Sequence, residues 1–240
     1  MLIGATGGYL SFSDFLAPII GILLGPYLGG LTVLIGNFGA IGFGRATNFP
    51  TLFGLGDFIP DFVAVVSVGF LMQRKWLPVV ALNAGLLALF FVDPLTSIFV
   101  TIPGTSISIP FAWMHIVAFV VLLSPLALMA TKWVTAGGKK IAAGLVVLTF
   151  IGTMMQHLAG NILFEVSFGQ ISPPIIPAAA WPAEWTGVLF AYPIERTILI
   201  VCAVLVGTPL IATVIRNHFL KIGKQEKPKT PYQENPKATS

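Results

Sequence analysis

A single cysteine, Cys202, stands among 240 residues, so the chain can form no internal disulfide and no cysteine-based metal site. Charge is nearly as scarce. Asp, Glu, Lys and Arg make up 9% of the residues, against about 25% in an ordinary soluble domain. Two motifs are missing as well: no GxxxxGK[ST] phosphate loop and no HExxH pair occurs. The opening MLIGATGGYL lacks the basic n-region of a cleavable signal peptide. The formal net charge of +4 sits in short loops and a tail. Membrane orientation accounts for it there, so nucleic acid is not an expected partner.

What the chain has instead is long apolar runs. Hydrophobic residues are 56% of the sequence and mean hydropathy is +0.91. A β-barrel would show short alternating segments in place of these continuous runs. The expected fold is therefore all-α, a polytopic transmembrane helix bundle of about 6–7 spans. Cys202 lies in one of the apolar runs and is expected to pack as a core thiol.

The first unit, residues 13–43, is interrupted by Gly25-Pro26, because the residue before proline is biased away from α geometry. It reads as two helices, 14–24 and 27–43, or as one kinked helix. Gly21, Gly25 and Gly29 recur every fourth position and Gly36 continues the small surface, the pattern that lets membrane helices approach closely. A polar-leaning loop with Arg45 and Asn48 leads to the span 55–72. There Asp57 and Asp61 share a face near the helix start, as N-terminal caps or as groups reaching a cavity. The spans 76–101 and 111–131 follow, with Asp93-Pro94 marking an exit or break in the first and Pro125 inside the second. His115 beside Trp113 reads as interfacial.

The stretch 138–169 is the most informative. It is apolar enough to cross a bilayer, and its far end carries His157, Asn161 and Glu165 at i, i+4 and i+8, one narrow polar stripe on a helix. Facing lipid such groups are costly, so they are expected to face protein or a water-accessible pocket. Interhelical hydrogen bonding alone is the other reading. Residues 166–191, with Pro173, Pro174, Pro177, Pro182, Trp181 and Trp185, read as an aromatic lid or interfacial loop. The last span, 192–215, opens with Tyr192, and Glu195 and Arg196 lie near its start. Residues 1–218 then form the membrane domain and 219–240 a disordered basic tail. Arg74, Lys75, Lys132, Lys139, Lys140 and Arg216 fall on one side of this layout. That side is expected to be cytoplasmic, with the C-terminus there, in a multi-pass protein of the cell membrane.

Three runs, FSDFLAPIIGILLGPYLGGLTVLIG, GDFIPDFVAVVSVGFLMQRK and above all MMQHLAGNILFE, carry a likeness. Through them the chain resembles a substrate-binding S component of an energy-coupling factor (ECF) vitamin transporter, nearest to the thiamine-type members. The resemblance covers roughly residues 11–75 and 138–216. It implies a binding role for His157, Asp57, the following Phe58, and Tyr192. It also implies a vitamin-like ligand and partner subunits: a membrane coupling protein and ATPases. Glu165 and Thr197 stand where the thiamine-type members have an aromatic and an asparagine, which points away from thiamine itself. The spans 76–101 and 111–131 look inserted relative to a six-helix member.

Three functions follow from these readings. In the first, the chain captures a small water-soluble metabolite, without catalysis and without a cofactor. Asp57, Asp61 and Glu165 then accept hydrogen bonds, His157 and Asn161 orient the ligand, and Trp181, Trp185 and Tyr192 cover it. In the second, His157, Asp57 and Glu165 hold a divalent metal in an intramembrane enzyme. In the third, the chain is an accessory subunit that packs through its glycine faces, with Gly21, Gly25, Gly29 and Gly36 as the docking positions in either the first or the third case.

Overall fold

The computed structural model describes residues 12–47 and 52–217, with side chains from 14 to 44 and from 52 to 217. Asn48, the Arg45 side chain, the first ten residues and the tail 219–240 lie outside the described residues. The fold is all-α apart from one small hairpin. Its elements are α1 (Leu16–Thr47), α2 (Phe58–Met72), α3 (Trp76–Val92), β1 (Phe99–Thr101), β2 (Ser108–Pro110), α4 (Trp113–Leu123), α5 (Pro125–Ala136), α6 (Lys140–Glu165) and α7 (Trp181–Arg216). Among the described residues four helices are long and apolar enough to cross a bilayer, or five when α4 and α5 count as one broken span.

Gly25 breaks α1 with φ 73° and ψ −175°, a backbone conformation that suits glycine because it has no Cβ. The two legs, 16–24 and 26–47, fold back on each other. A Cβ on Gly29 would stand 3.4 Å from Ile20 Cγ2, a contact that a straight helix cannot make across nine residues. Of the two readings, two helices or one kinked helix, the geometry shows two helical legs meeting at a sharp kink at Gly25. α2 packs tightly against both legs. A Cβ on Gly21 would meet Val65 O at 2.5 Å, one on Gly29 would meet Val65 Cγ1 at 2.6 Å, and one on Gly69 would meet the backbone of Gly25 and Pro26. Most of the glycine surface expected to receive a partner is thus consumed inside the molecule. Gly36 alone of the four expected docking glycines has open space around its Cβ position.

α6 is the central post, with 72% of its apolar window buried, against 22% for α7 and 39% for α1. It runs antiparallel to α2: Gly56 faces Leu163, Gly160 faces Pro60, and Gly152 faces Val68. It also runs antiparallel to α7, since Tyr192 stacks on His157 while Gly207 faces Leu145. These pairings bring Arg74, Lys75, Lys139, Lys140 and Arg216 to one end of the bundle. α5 joins them there, because Gly144 lies against Ala130 and Val134.

Three sequence expectations change. The span expected over 76–101 ends at Val92. Asp93, which precedes proline, is extended (φ −68°, ψ 129°), and a turn and the β1–β2 hairpin follow. The span expected over 111–131 bends by 72° at Ser124. Ser124 is extended and its hydroxyl accepts from Leu126 N at 3.2 Å, so Ser124-Pro125 starts a new helix. The loop expected over 166–191 is largely helical. A π-helical turn, Val166–Gln170, prolongs α6, and α7 begins at Trp181 instead of 192. Pro182 sits in the first turn of α7, where its missing N–H has no helical acceptor to serve, so it opens the helix instead of breaking it. Pro193 and Pro209 lie inside α7, which helices in membranes tolerate because neighbouring groups re-satisfy the backbone.

Candidate functional site

The polar stripe of α6 divides among different partners, because successive residues of a helix point about 100° apart. His157 faces α4 and α7. Its Nδ1 lies 3.0 Å from His115 Nε2 and 3.4 Å from Asn161 Nδ2. His157 stacks on both His115 and Tyr192, with centroids 5.2 Å and 4.9 Å apart, and His115 and Tyr192 meet in a tilted contact at 5.5 Å. Tyr192 donates its hydroxyl to Phe111 O at 2.9 Å, which fixes its tilt. All three side chains are buried, His115 to 1% and His157 to 4% exposure.

The hydrogen-bond pattern assigns the tautomers. With the Asn161 amide nitrogen assigned as donor, His157 Nδ1 is the acceptor and the His157 proton is on Nε2. His115 then donates from Nε2, and its Nδ1 is bare. Neither His157 Nε2 nor His115 Nδ1 has a hydrogen-bond partner among the described residues. The layer therefore offers one unused donor and one unused acceptor from two neutral imidazoles.

Aromatic walls continue from this layer towards the start of α7. Phe111 lies 4.7 Å from Trp185 and 5.6 Å from Tyr192, while Phe164 lies 5.1 Å from Trp181. Trp185 Nε1 donates to Leu95 O at 2.7 Å, pinning the turn after α3. Trp181 and Trp185 are thus core residues of α7 and not a lid over the site. Their indoles fill the bundle because α7 starts early enough to carry them inward.

Glu165 belongs to the same end but to another contact. Its Oε1 accepts from Thr96 Oγ1 at 2.5 Å, and Oε2 has no partner among the described residues. Nearby, Gln170 donates to Asp93 across the same turn.

Gln156, one position before His157, faces the other way. Its Nε2 donates to Asp61 Oδ1 at 2.5 Å, and its Oε1 accepts from Arg196 Nη1 at 3.3 Å. Arg196 Nη2 pairs with Glu195 at 2.6 Å, both side chains buried. Asn37 of the second leg of α1 reaches the Asp61 carboxylate, and Asp14 lies close by. The Arg196 guanidinium is also within electrostatic range of both histidines. Asp61 is therefore set in an ionic network beside the histidine layer.

Asp57 and Phe58 are elsewhere. Asp57 accepts from Phe53 N at 2.5 Å, closing the turn that precedes α2. Phe58 packs on Phe38 and Phe62. The Asp57 side chain makes no hydrogen bond to the first turn of α2, so the expected N-terminal cap is not formed. The set His157, Asp57 and Glu165 is not gathered, and among the described residues no group of three or more His, Cys, Asp or Glu is placed to hold a metal ion.

Sequence reasoning missed His115, Gln156, Glu195 and Arg196 as members of these clusters. His115 read as interfacial because it lies near a helix start beside Trp113. The signal that could have found it is its ionisable side chain within an apolar span, which by default marks a buried partner.

No protein family, no curated protein and no solved structure matches this chain. The fold and site define a class: a bundle of apolar helices compatible with a membrane location, with two adjoining polar clusters in its interior.

Proposed function

We propose that the chain is the membrane-embedded binding subunit of an ECF-type, ATP-driven importer. It captures a small water-soluble metabolite, such as a vitamin or a precursor, from the side opposite its basic end. The observation that carries this reading is the histidine layer. This layer brings two unused ring nitrogens, His157 Nε2 and His115 Nδ1, together in one buried setting. Leaving such a group unpaired costs about 1–3 kcal/mol, which a ligand bearing one acceptor and one donor recovers. Stacked rings and the Phe111–Trp185 wall supply the apolar remainder of a typical small-molecule site.

In this reading α3 and the bent α4–α5 pair each cross the bilayer, giving six spans with α1 counted once and seven with its legs counted separately. The basic end faces the cytoplasm, and with it the C-terminus. Energy comes from a separate coupling subunit and ATPases, since the chain carries no phosphate loop. The open side of the second leg of α1 around Gly36 is the surface left for the coupling subunit.

Native mass spectrometry of the purified chain tests the reading. A copurified small molecule is expected in the wild type and is lost in His157→Ala. A wild-type protein that carries and takes up none, across a panel of water-soluble vitamins, overturns it. In vesicles holding this chain alone, saturable binding without concentrative uptake is expected under an ion gradient. Protease added to intact cells should leave the tail uncut.

A further inference from the structure

Two apolar stripes face each other on the outside of the bundle, away from the histidine layer. Tyr27, Leu31 and Leu34 lie along the second leg of α1, and Phe62, Val66 and Phe70 lie at four-residue spacing along α2. With Pro26 they line a groove of about 330 Å³. Gly30 keeps its floor open, since a Cβ there would stand 2.8 Å from Phe62 and 3.3 Å from Val66. The lining is apolar throughout except for the Tyr27 hydroxyl, so no water-soluble metabolite finds partners here.

One end of the groove is cationic. α2 closes in a Schellman turn: Arg74 N donates to Leu71 O at 2.8 Å and Lys75 N to Phe70 O at 2.9 Å. Arg74 takes the left-handed position at φ 60°, usually held by glycine. The turn sends Lys75 back over the groove. Its Nζ lies 5.9 Å from the Tyr27 ring centroid and 5.8 Å from that of Phe70, two of the lining residues. Both cations are exposed. An occupant must therefore have an apolar chain and an anionic group joined at one end.

We propose that this groove holds an acyl chain of an acidic phospholipid whose phosphate sits on Arg74 and Lys75. The inference rests on the membrane location and on the proposed cytoplasmic orientation of the basic end, and not on the ligand reading of the histidine layer, so it and that ligand reading can fail separately. A partner helix is the competing occupant. The continuity of the apolar lining with two exposed cations favours the lipid, because the basic end is also where acidic headgroups of a cytoplasmic leaflet lie.

The test uses the full chain in micelles with equal phosphatidylglycerol and phosphatidylcholine, with bound lipid read by native mass spectrometry. Retention of phosphatidylglycerol in preference is expected, by roughly fivefold per cation at low salt and less at high salt. Arg74→Gln with Lys75→Gln should bring the two lipids to parity. Leu31→Trp, or Val66→Phe from the other wall, should reduce retention of both lipids at unchanged melting temperature. Parity in the wild type, or a preference that survives loss of both cations, overturns the proposal. Lipid retention unaffected by both groove-filling variants overturns it in favour of a partner helix.

Discussion

Two polar clusters lie side by side in the interior, and they are built on opposite terms. The ionic network of Asp61, Gln156, Arg196 and Glu195 joins α2, α6 and α7: Arg196 forms an ion pair with Glu195, and the neutral Gln156 amide bridges Arg196 to the Asp61 carboxylate. The histidine layer joins α4, α6 and α7 with neutral rings, and leaves two ring nitrogens unused. A lone ion in a low-dielectric interior is far more costly than an unpaired imidazole nitrogen, and Arg196 keeps both Nη atoms bonded although its Nε has no partner among the described residues. The first cluster is therefore suited to holding helices in register, and the second to exchanging partners. Adjacent residues, Gln156 and His157, serve the two roles because a helix turns them to different neighbours.

The largest expected effect tests the ionic half of that contrast. Arg196→Ala breaks a buried ion pair by removing one member, and should destabilise the protein by about 3–5 kcal/mol. The joint change Glu195→Gln with Arg196→Gln should cost distinctly less. Denaturation in detergent measures both, and equal losses would mean that the pair carries no special coupling.

A second variant probes what aligns the two clusters. Gly69→Ala forces a Cβ against the Gly25–Pro26 backbone, where neither side can rotate away. It should cost about 1–3 kcal/mol. Gly85→Ala meets nothing within 4 Å and should be neutral or slightly stabilising, since alanine is the better helix former. Thermal melts of the two variants side by side decide whether close α1–α2 contact holds the register.

The histidine half is tested by separating affinity from stability. His157→Ala and His115→Ala should each weaken binding of the copurified ligand about tenfold or more, with smaller effects on melting than Arg196→Ala. Asp57→Ala should leave affinity nearly unchanged, because that carboxylate closes a turn. A titration showing Asp57→Ala as damaging as His157→Ala would return Asp57 to the site and blur the contrast between the clusters.

The smallest effect belongs to the hairpin, outside both clusters. Thr101 and Ser108 share an exposed cross-strand hydrogen bond of 3.0 Å. Thr101→Ala should shift stability by no more than about 0.5 kcal/mol and leave ligand affinity untouched. A clear affinity loss would show that the hairpin reports on the aromatic wall it adjoins.

Hydropathy by itself determined the class of this protein: an all-α bundle of apolar helices with few charges. It also exposed the stripe His157, Asn161, Glu165, since helical period is a local property of the chain. The Gly25-Pro26 break was legible for the same reason, being set by the φ preferences of two adjacent residues. Tertiary structure decided which polar groups meet. His115 and His157 are 42 residues apart, and although an ionisable group in an apolar span hints at a buried partner, nothing local says which residue that partner is. Trp181 and Trp185 changed from lid to core because proline in a first turn opens a helix, while the same residue further along reads as a breaker. The rotational phase and depth of each helix come from close contacts such as Gly21 on Val65 and Gly69 on Pro26. Those contacts depend on backbones approaching through missing side chains, and composition does not specify which glycine meets which partner.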